Sequence, residues 1–498
     1  TGESEPVDKT AEGARAHAGT LVSRGQGVVR IEATGARTEF GRIGATLQSV
    51  ETAPSPLRED VALLTRRLVT IGLGLCVLLV AVFWALRGDA LAALLAGITL
   101  AMSVLPQEFP VIMIVFLAMA ARRLAVHQVL IRRLEAIETL GQITVLATDK
   151  TGTLTENRMR VQALAVDGER LDVGALGDAD LPEAYHVLLE HAVLASEIDP
   201  HDPMESAVHQ LAGAKLAGSE HLHPAWALSR EYELSPGLLA MSHLWRDDGS
   251  RHDRVAAKGA PEAIAELCHL DDARRAEVLQ RAEQMAADGL RVLGVARALH
   301  PVDQAWPTAQ HDFDFEWLGL IGLADPLRAD VPAAMARCRE AGIRVLMITG
   351  DHPRTALAIA RQAGMDDRAV LTGDELLAMD AATLRRRVAE VCIYARMKPH
   401  QKLALVEALK ADAEVVAMTG DGVNDAPALK AAHVGVAMGL RGSDVAREAA
   451  SLVLMRDDFG ALVEAIARGR RTFDNLRRAL VYTIAVHLPI VEIGRAHV

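Results

Sequence analysis

Asp149-Lys150-Thr151-Gly152-Thr153-Leu154-Thr155 follows directly on the apolar run 143–147. A carboxylate at the carboxyl end of a buried parallel strand stands where α/β sheets place their reacting groups. There it can attack phosphorus and form an acyl phosphate, splitting one hard step into two easier ones. Such a nucleophile needs a magnesium ion to neutralise phosphate oxygens, a cation to steady the transferred group, and donors for the remaining charge. Later runs supply each. Thr349-Gly350-Asp351 closes the run 342–348, and Thr419-Gly420-Asp421-Gly422-Val423-Asn424-Asp425 closes the run 415–418. Arg396 and Lys402 lie between them. Acidic groups at strand ends, added to Asp149, make a hard oxygen site suited to magnesium.

The elements that must position these residues are legible as alternation. Apolar runs at 143–147, 342–348, 415–418 and 434–438 each end in a Gly/Asp/Thr cluster and alternate with helical patterns, the rhythm of βα units around a parallel sheet. Residues 161–317 break that rhythm with Pro, His and Asp punctuation, which predicts a separate domain inserted into the sheet domain. Ahead of both, 19–38 alternates like small β strands, at 21–22 and 28–31, between glycines.

Two long apolar runs precede the sheet. Residues 68–86 carry no charge and are about as long as a bilayer requires. After the turn Arg87-Gly88-Asp89, the run 90–121 carries Glu108 as its only charge. Arg66 and Arg67 precede the first run, and Arg122, Arg123, Arg132 and Arg133 follow the second, so both outer ends are predicted to face the cytoplasm. A third run begins near Ala479, behind the basic stretch Arg468 to Arg478, which is read as its stalk. Leu105-Pro106-Gln107-Glu108-Phe109-Pro110 interrupts the second run. Pro106 cannot donate to the Met102 carbonyl, nor Pro110 to the Pro106 carbonyl. Carbonyls freed beside an intramembrane carboxylate are the setting of a cation site.

Composition excludes other classes. The 498 residues suffice for roughly three domains. A net charge of −12 and 3% aromatics argue against nucleic acid as a partner. Cys76, Cys268, Cys338 and Cys392 are scattered, with no paired spacing for a disulfide framework or a thiolate metal site. His201, His221 and His223 are read as a solvated loop. There is no G-x-x-x-x-G-K-[ST], so nucleotide must be held without a P-loop.

The strings at 149–155, 349–351, 396–402 and 419–425, in this order, resemble the phosphorylation domain of P-type ATPases, pumps that phosphorylate themselves on aspartate. The resemblance implies that Asp149 is the nucleophile, with Lys150 and Asp351 in the same motifs. Asp421 and the Thr151 carbonyl would hold magnesium with Asp149; Thr349, Gly350, Lys402 and Asn424 would contact the phosphoryl group, and Asp425 would support the site. Thr151 stands where soluble phosphatases of this fold resemble Asp-x-Asp, so the acyl phosphate should persist. Thr1-Gly2-Glu3-Ser4 resembles the actuator loop, with Glu3 positioning the water that releases the phosphate. Lys258-Gly259-Ala260-Pro261-Glu262 resembles the nucleotide-domain string, with Glu205, Lys258, Gly259, Arg291 and Arg396 as ATP contacts. Where calcium pumps of the family carry an adenine-stacking aromatic and a nearby Lys, this chain has Leu234 and Leu239, and Tyr232 is the aromatic at hand. The string around Glu108 resembles the Pro-Glu-Gly-Leu-Pro cation site of calcium-type pumps. Gln107 holds the usual Glu position, and Glu108, Gln107, Met102 and Pro106 form the expected transported-cation site. No Cys-Pro-Cys occurs, which argues against a heavy-metal pump.

The implied fold is multidomain α/β with membrane helices. The actuator part is expected at 1–55 and two transmembrane helices at 56–123, broken at 105–110. A HAD-like, Rossmannoid parallel-sheet phosphorylation domain spans 124–160 and 318–457. An α+β nucleotide-binding domain is inserted at 161–317. A stalk and the start of a third membrane helix span 458–491. The chain opens in mid-motif, and 492–498 is expected to be a non-native tail, Ile493 to Val498 translating a sequencing adapter. The implied protein is a multi-pass pump of a bacterial plasma membrane, its catalytic domains cytoplasmic, with Mg2+, ATP, an inorganic cation and lipid as partners. The alternatives are a phosphatase or phosphotransferase of the same fold, or a regulatory pseudo-pump.

Overall fold

The computed structural model describes residues 9, 14–17, 28–38, 41, 56–104, 108–235, 237–246 and 249–496. These divide into two compact units. The first holds the described residues up to Leu154, Ala329–Gly350, and those from Gly364 onward; the second holds Thr155–Arg328 and Asp351–Ala363.

The first unit begins with apolar helices. Helix α1 (Pro56–Arg87) and helix α2 (Ala90–Val104) meet at the expected turn. Gly88, at φ 71°, gives its N–H to the Trp84 carbonyl at 2.8 Å and ends α1 in the left-handed conformation that glycine tolerates. Asp89 Oδ1 then accepts from Leu91 N at 3.0 Å and Ala92 N at 3.1 Å, capping α2. Among the described residues one helix, Thr65–Arg87, is long and apolar enough to cross a membrane. The second apolar run is helical on both sides of 105–107, in α2 and α3 (Glu108–Val126). Of the expected break at 105–110, Glu108, Phe109 and Pro110 are helical, within α3. Residues 105–107, Pro106 and Gln107 among them, lie outside the described residues.

After β1 (Val129–Ile131), β2 (Val145–Asp149) carries the Asp149 string, every residue of it buried. The second unit follows as an antiparallel sheet of β3 (Arg160–Val166), β4 (Glu169–Asp172), β5 (Ala227–Tyr232), β6 (Ala240–Arg246), β7 (His252–Gly259), β8 (Arg291–Pro301) and β9 (Glu316–Ala324), in the order 4-3-9-8-7-6-5. The inserted domain therefore reaches past both expected boundaries, because β3 starts at Arg160 and β9 ends at Ala324. Its two chain crossings are tied together. Asp325 Oδ1 accepts from Arg158 N at 3.0 Å, Asp325 Oδ2 accepts from the Thr155 hydroxyl, and Arg328 Nε donates to the Thr155 carbonyl at 3.1 Å.

The chain then completes the first sheet with β10 (Arg344–Ile348), β11 (Val370–Thr372), β12 (Ile393–Ala395), β13 (Val416–Gly420), β14 (Val434–Met438) and β15 (Leu452–Leu454). The order is 1-15-14-13-2-10-12-11, and all neighbours are parallel except β1 with β15. Parallel strands covered on both faces read as continuous apolar runs, which is why four of these were visible in the sequence. A long helix, Phe459–Ala496, carries the third apolar run.

Val28 to Ile31 form no strand. Val28, Val29 and Ile31 are exposed, and no described strand pairs with them; alternation without a ladder partner does not hold a strand. Residues 21–22 and Glu3 lie outside the described residues.

Candidate functional site

The topology brings the reacting strings of the first unit to one edge. β2 sits between β10 and β13, with Asp149 opposite Ile348 and Ala147 opposite Met418. The loops after three neighbouring strands therefore meet at Asp149. Thr151 (φ −71°, ψ 129°) and Gly152 (φ 73°, ψ −14°) form a turn of the type II kind directly after Asp149, and only glycine takes the second position without strain. Ahead of this turn the Lys150 N–H donates to Asp149 Oδ1 at 2.8 Å. Gly420 is required too, since a Cβ there would lie 2.5 Å from the Asp425 Cβ.

Lys402 is the hub. Its Nζ lies 3.3 Å from Asp149 Oδ2 and 2.7 Å from Asp425 Oδ1. Gly422 N donates to Asp425 Oδ2 at 3.1 Å, so both oxygens of that carboxylate are committed. Behind the site, the Thr419 hydroxyl donates to the Thr148 hydroxyl at 2.9 Å, joining β13 to β2. Thr349 is buried at the end of β10 and linked through its backbone to Tyr394 and Met397 at 2.9 and 3.0 Å. Gly350 and Asn424 belong to the first unit, whereas Asp351 groups with the second.

The electrostatics favour a bound cation. Burial pushes the Asp149 carboxyl up; Lys402 pulls it down, Asp425 and Asp421 push it further up, and it stands at about 7. Burial and the Asp425 charge raise Asp421 to about 6. Burial works against the Lys402 charge, but Asp149 and Asp425 outweigh it and hold the ammonium protonated. Oxygens of Asp149, Asp421 and Asp425 all lie within 4.8 Å of one another. Three crowded carboxylates facing one ammonium leave net negative charge, and an all-oxygen donor set fits magnesium.

In the second unit Lys258 and Glu205 come together. Lys258 Nζ donates to Glu205 Oε1 at 2.6 Å and to Ser196 Oγ at 2.7 Å, all three residues being buried. Glu205 Oε2 accepts from Glu197 N at 3.2 Å. Ser196 was not singled out in the sequence, because its role depends on a contact 62 residues away. Burial lowers the Lys258 pKa, an effect that Glu205 opposes. Gly259 does permit a close approach, but to its own chain: a Cβ would lie 2.3 Å from the Leu239 carbonyl oxygen. Gly259 pairs with Gly294 across β7 and β8, and Arg291 starts β8 three residues earlier, exposed. Arg396, at φ 50°, lies in the first unit.

Two sequence readings change here. Tyr232 is buried, donates its hydroxyl to the Pro307 carbonyl at 2.7 Å, and meets the Phe313 ring edge-on, so it is core and offers no stacking face. His221 and His223 are not a solvated loop. Their Nδ1 and Nε2 each lie 2.7 Å from one oxygen of buried Glu190, and His223 stacks on Trp226 at 3.6 Å. In the helices, Glu108 stands exposed in the first turn of α3 and Met102 is exposed on α2.

Comparison with known proteins adds an independent line. The family model for haloacid dehalogenase-like hydrolases matches residues 143–433, and that for the P-type ATPase actuator domain matches residues 1–48. The chain is 37% identical to the "Probable cation-transporting ATPase F" of Mycobacterium tuberculosis, over 98% of this chain and 59% of that protein. It is 32% identical to the "Calcium-transporting ATPase" of Bacillus subtilis, over 97% of this chain and 60% of that protein. The chain thus spans about three fifths of the length of the curated relatives it matches. Among solved structures, a zinc-transporting PIB-type ATPase in an E2.Pi state matches with a TM-score of 0.68 at 23% identity, over 93% of this chain and 64% of that one, a likeness of fold.

Proposed function

This chain belongs to the P-type ATPase family, with a haloacid dehalogenase-like domain at its centre, and from that premise we propose that Asp149 takes the γ-phosphoryl group of ATP. The observation that carries the proposal is the cluster of buried Asp149, Lys402 and Asp425 with half-buried Asp421 at the end of the central strand. Asp149 Oδ2 is the attacking oxygen; the bond formed is O–P, and the bond broken joins the γ-phosphorus to the bridging oxygen, which leaves with ADP. Lys402 neutralises the phosphoryl oxygens as charge gathers on them, and Asp425 holds Lys402 in place. Thr349, Gly350 and Asn424 supply polar donors around the same edge. Asp149, Asp421 and the Thr151 carbonyl would hold magnesium, which supplies charge neutralisation for the phosphate. Thr151 leaves no second carboxylate two residues after the nucleophile, so the acyl phosphate outlives its formation unless Glu3 delivers water. In the second unit, Lys258, paired with Glu205, and Arg291 hold ATP, and Gly259 shapes that strand end; Arg396 and Asp351 assist phosphate binding.

For the whole protein the proposal is a membrane pump, bacterial and in the plasma membrane, that couples this cycle to movement of an inorganic cation. Glu108, Gln107, Met102 and Pro106 are proposed to line the ion path. The curated relatives are named cation-transporting and calcium-transporting, and a carboxylate with freed carbonyls suits a hard cation. The test is phosphorylation of the full-length protein by ATP in membranes, screened cation by cation. One cation should trigger an acid-stable, hydroxylamine-sensitive phosphoenzyme. ATP binding with no phosphoenzyme under any cation would replace the pump by a regulatory protein, and rapid turnover with no phosphoenzyme would replace it by a phosphatase.

A further inference from the structure

Asp457 is a buried carboxylate that the mechanism above does not use. It is 2% exposed and sits at φ 54°, in the left-handed region that few non-glycine residues enter, aspartate more readily than most. Its Oδ1 accepts from Gly439 N at 2.7 Å and Leu440 N at 3.0 Å, and its Oδ2 accepts from Arg441 N at 3.1 Å. Three consecutive backbone N–H groups thus converge on one side chain. A carboxylate bonded in this way is locked in orientation and locks its donors in turn.

The loop it grips leads to the metal acids. Residues 439–443 follow β14, and Ser443 N donates to the Asp421 carbonyl at 2.8 Å. The same loop is held from its other face by Arg447, whose guanidinium donates to the Gly439 carbonyl at 3.1 Å and to the Gly442 carbonyl. Glycine is needed at both ends, since a Cβ on Gly439 would lie 2.7 Å from the Leu454 carbonyl oxygen and one on Gly442 2.1 Å from that of Met438. On its other side Asp457 adjoins the long helix Phe459–Ala496. Asp458 Oδ1 caps that helix through Ala461 N at 3.2 Å, Asp330 Oδ2 accepts from Gly460 N at 2.9 Å, and Phe459 is wholly buried.

We propose that Asp457 is a positioning residue that fixes the loop 439–443 against Asp421 and joins the metal side of the phosphorylation site to the base of the Phe459–Ala496 helix. The inference rests on Asp421 as a magnesium ligand. Residues that orient a ligand without touching the metal act on affinity by about 10–100-fold.

The test uses the full-length protein and Mg2+ alone, read by the Mg2+-dependent rise in thermal midpoint and by hydrogen exchange at 439–441. In Asp457→Asn an NH2 replaces one acceptor oxygen. The variant is expected to need about tenfold more Mg2+ for the same rise, to exchange faster at 439–441, and to bind Mg2+-free ATP as the unsubstituted protein does. A Mg2+ curve that superimposes on that of the unsubstituted protein overturns the proposal. If the variant does not fold, Arg447→Gln releases the carbonyls of the same loop and should move the Mg2+ curve in the same direction; an unmoved curve overturns it equally. Absence of phosphoenzyme in the unsubstituted protein would sink the proposed function and leave this binding test standing.

Discussion

Lys402 Nζ lies 3.3 Å from Asp149 Oδ2 although 253 residues separate the two, and that contact closes the site. The ammonium serves Asp149 and Asp425 at once, so its removal leaves two buried carboxylates without a counter-charge. Lys402→Met is expected to destabilise the first unit by about 3 kcal/mol, the usual cost of stripping one partner from a buried ion pair. It should also cut phosphoenzyme formation by a factor of about 10² or more, the scale on which a lost transition-state donor acts. Urea unfolding and labelling with radioactive ATP check the two effects separately.

The raised carboxyls give a pH dependence with a definite sign. Asp149 stands at about 7 and Asp421 at about 6, both above their ordinary value of 3.8. The folded protein therefore holds protons that the unfolded chain releases, and metal-free stability falls as pH rises through roughly 4 to 7. Magnesium must displace the same protons. Its half-saturation should improve between pH 6 and 8, with proton release on binding visible to an indicator dye in weak buffer. Asp149→Asn should flatten both the stability slope and the proton release.

Gly259→Ala places a methyl 2.3 Å from the Leu239 carbonyl oxygen, so β6 and β7 must part. Overpacking of this kind costs about 1–3 kcal/mol. Because Lys258 precedes Gly259, ATP affinity should fall with it, while phosphorylation at saturating ATP stays near normal. Nucleotide binding to the isolated variant and its thermal midpoint report the two parts.

Glu108→Gln in the full-length protein should shift the cation dependence of phosphorylation and leave its maximum, under saturating cation, within about twofold, since a lost ground-state contact changes half-saturation more than rate. A cation titration of phosphoenzyme level measures this. An unchanged titration would make Glu108 structural.

How much the sequence disclosed depended on range. Asp149, Asp421 and Asp425 were legible because buried parallel strands write themselves as apolar runs and put their chemistry in the loops that follow; Lys402, inside the helix Pro399–Ala411, was legible only through the family resemblance. Three-residue strands such as β1, β12 and β15 are too short to show a period, so the edges of the sheet were not. Ser196 beside Lys258, and Glu190 between His221 and His223, are contacts across 62 and about 30 residues that no local pattern encodes. Tyr232 and Val28–Ile31 failed in opposite ways. The first found a core that propensity cannot foresee, and the second found no strand to pair with among the described residues.

The central claim is that the phosphoryl group resides on Asp149. The most direct measurement is borohydride reduction of the full-length protein after brief exposure to ATP and Mg2+, followed by peptide mapping across 143–160. Reduction of an acyl phosphate converts the aspartyl side chain to an alcohol, so the account predicts that mass change at position 149 alone, abolished in Asp149→Asn. An unreduced Asp149 with ATP consumed, or the change at another carboxylate, would contradict it.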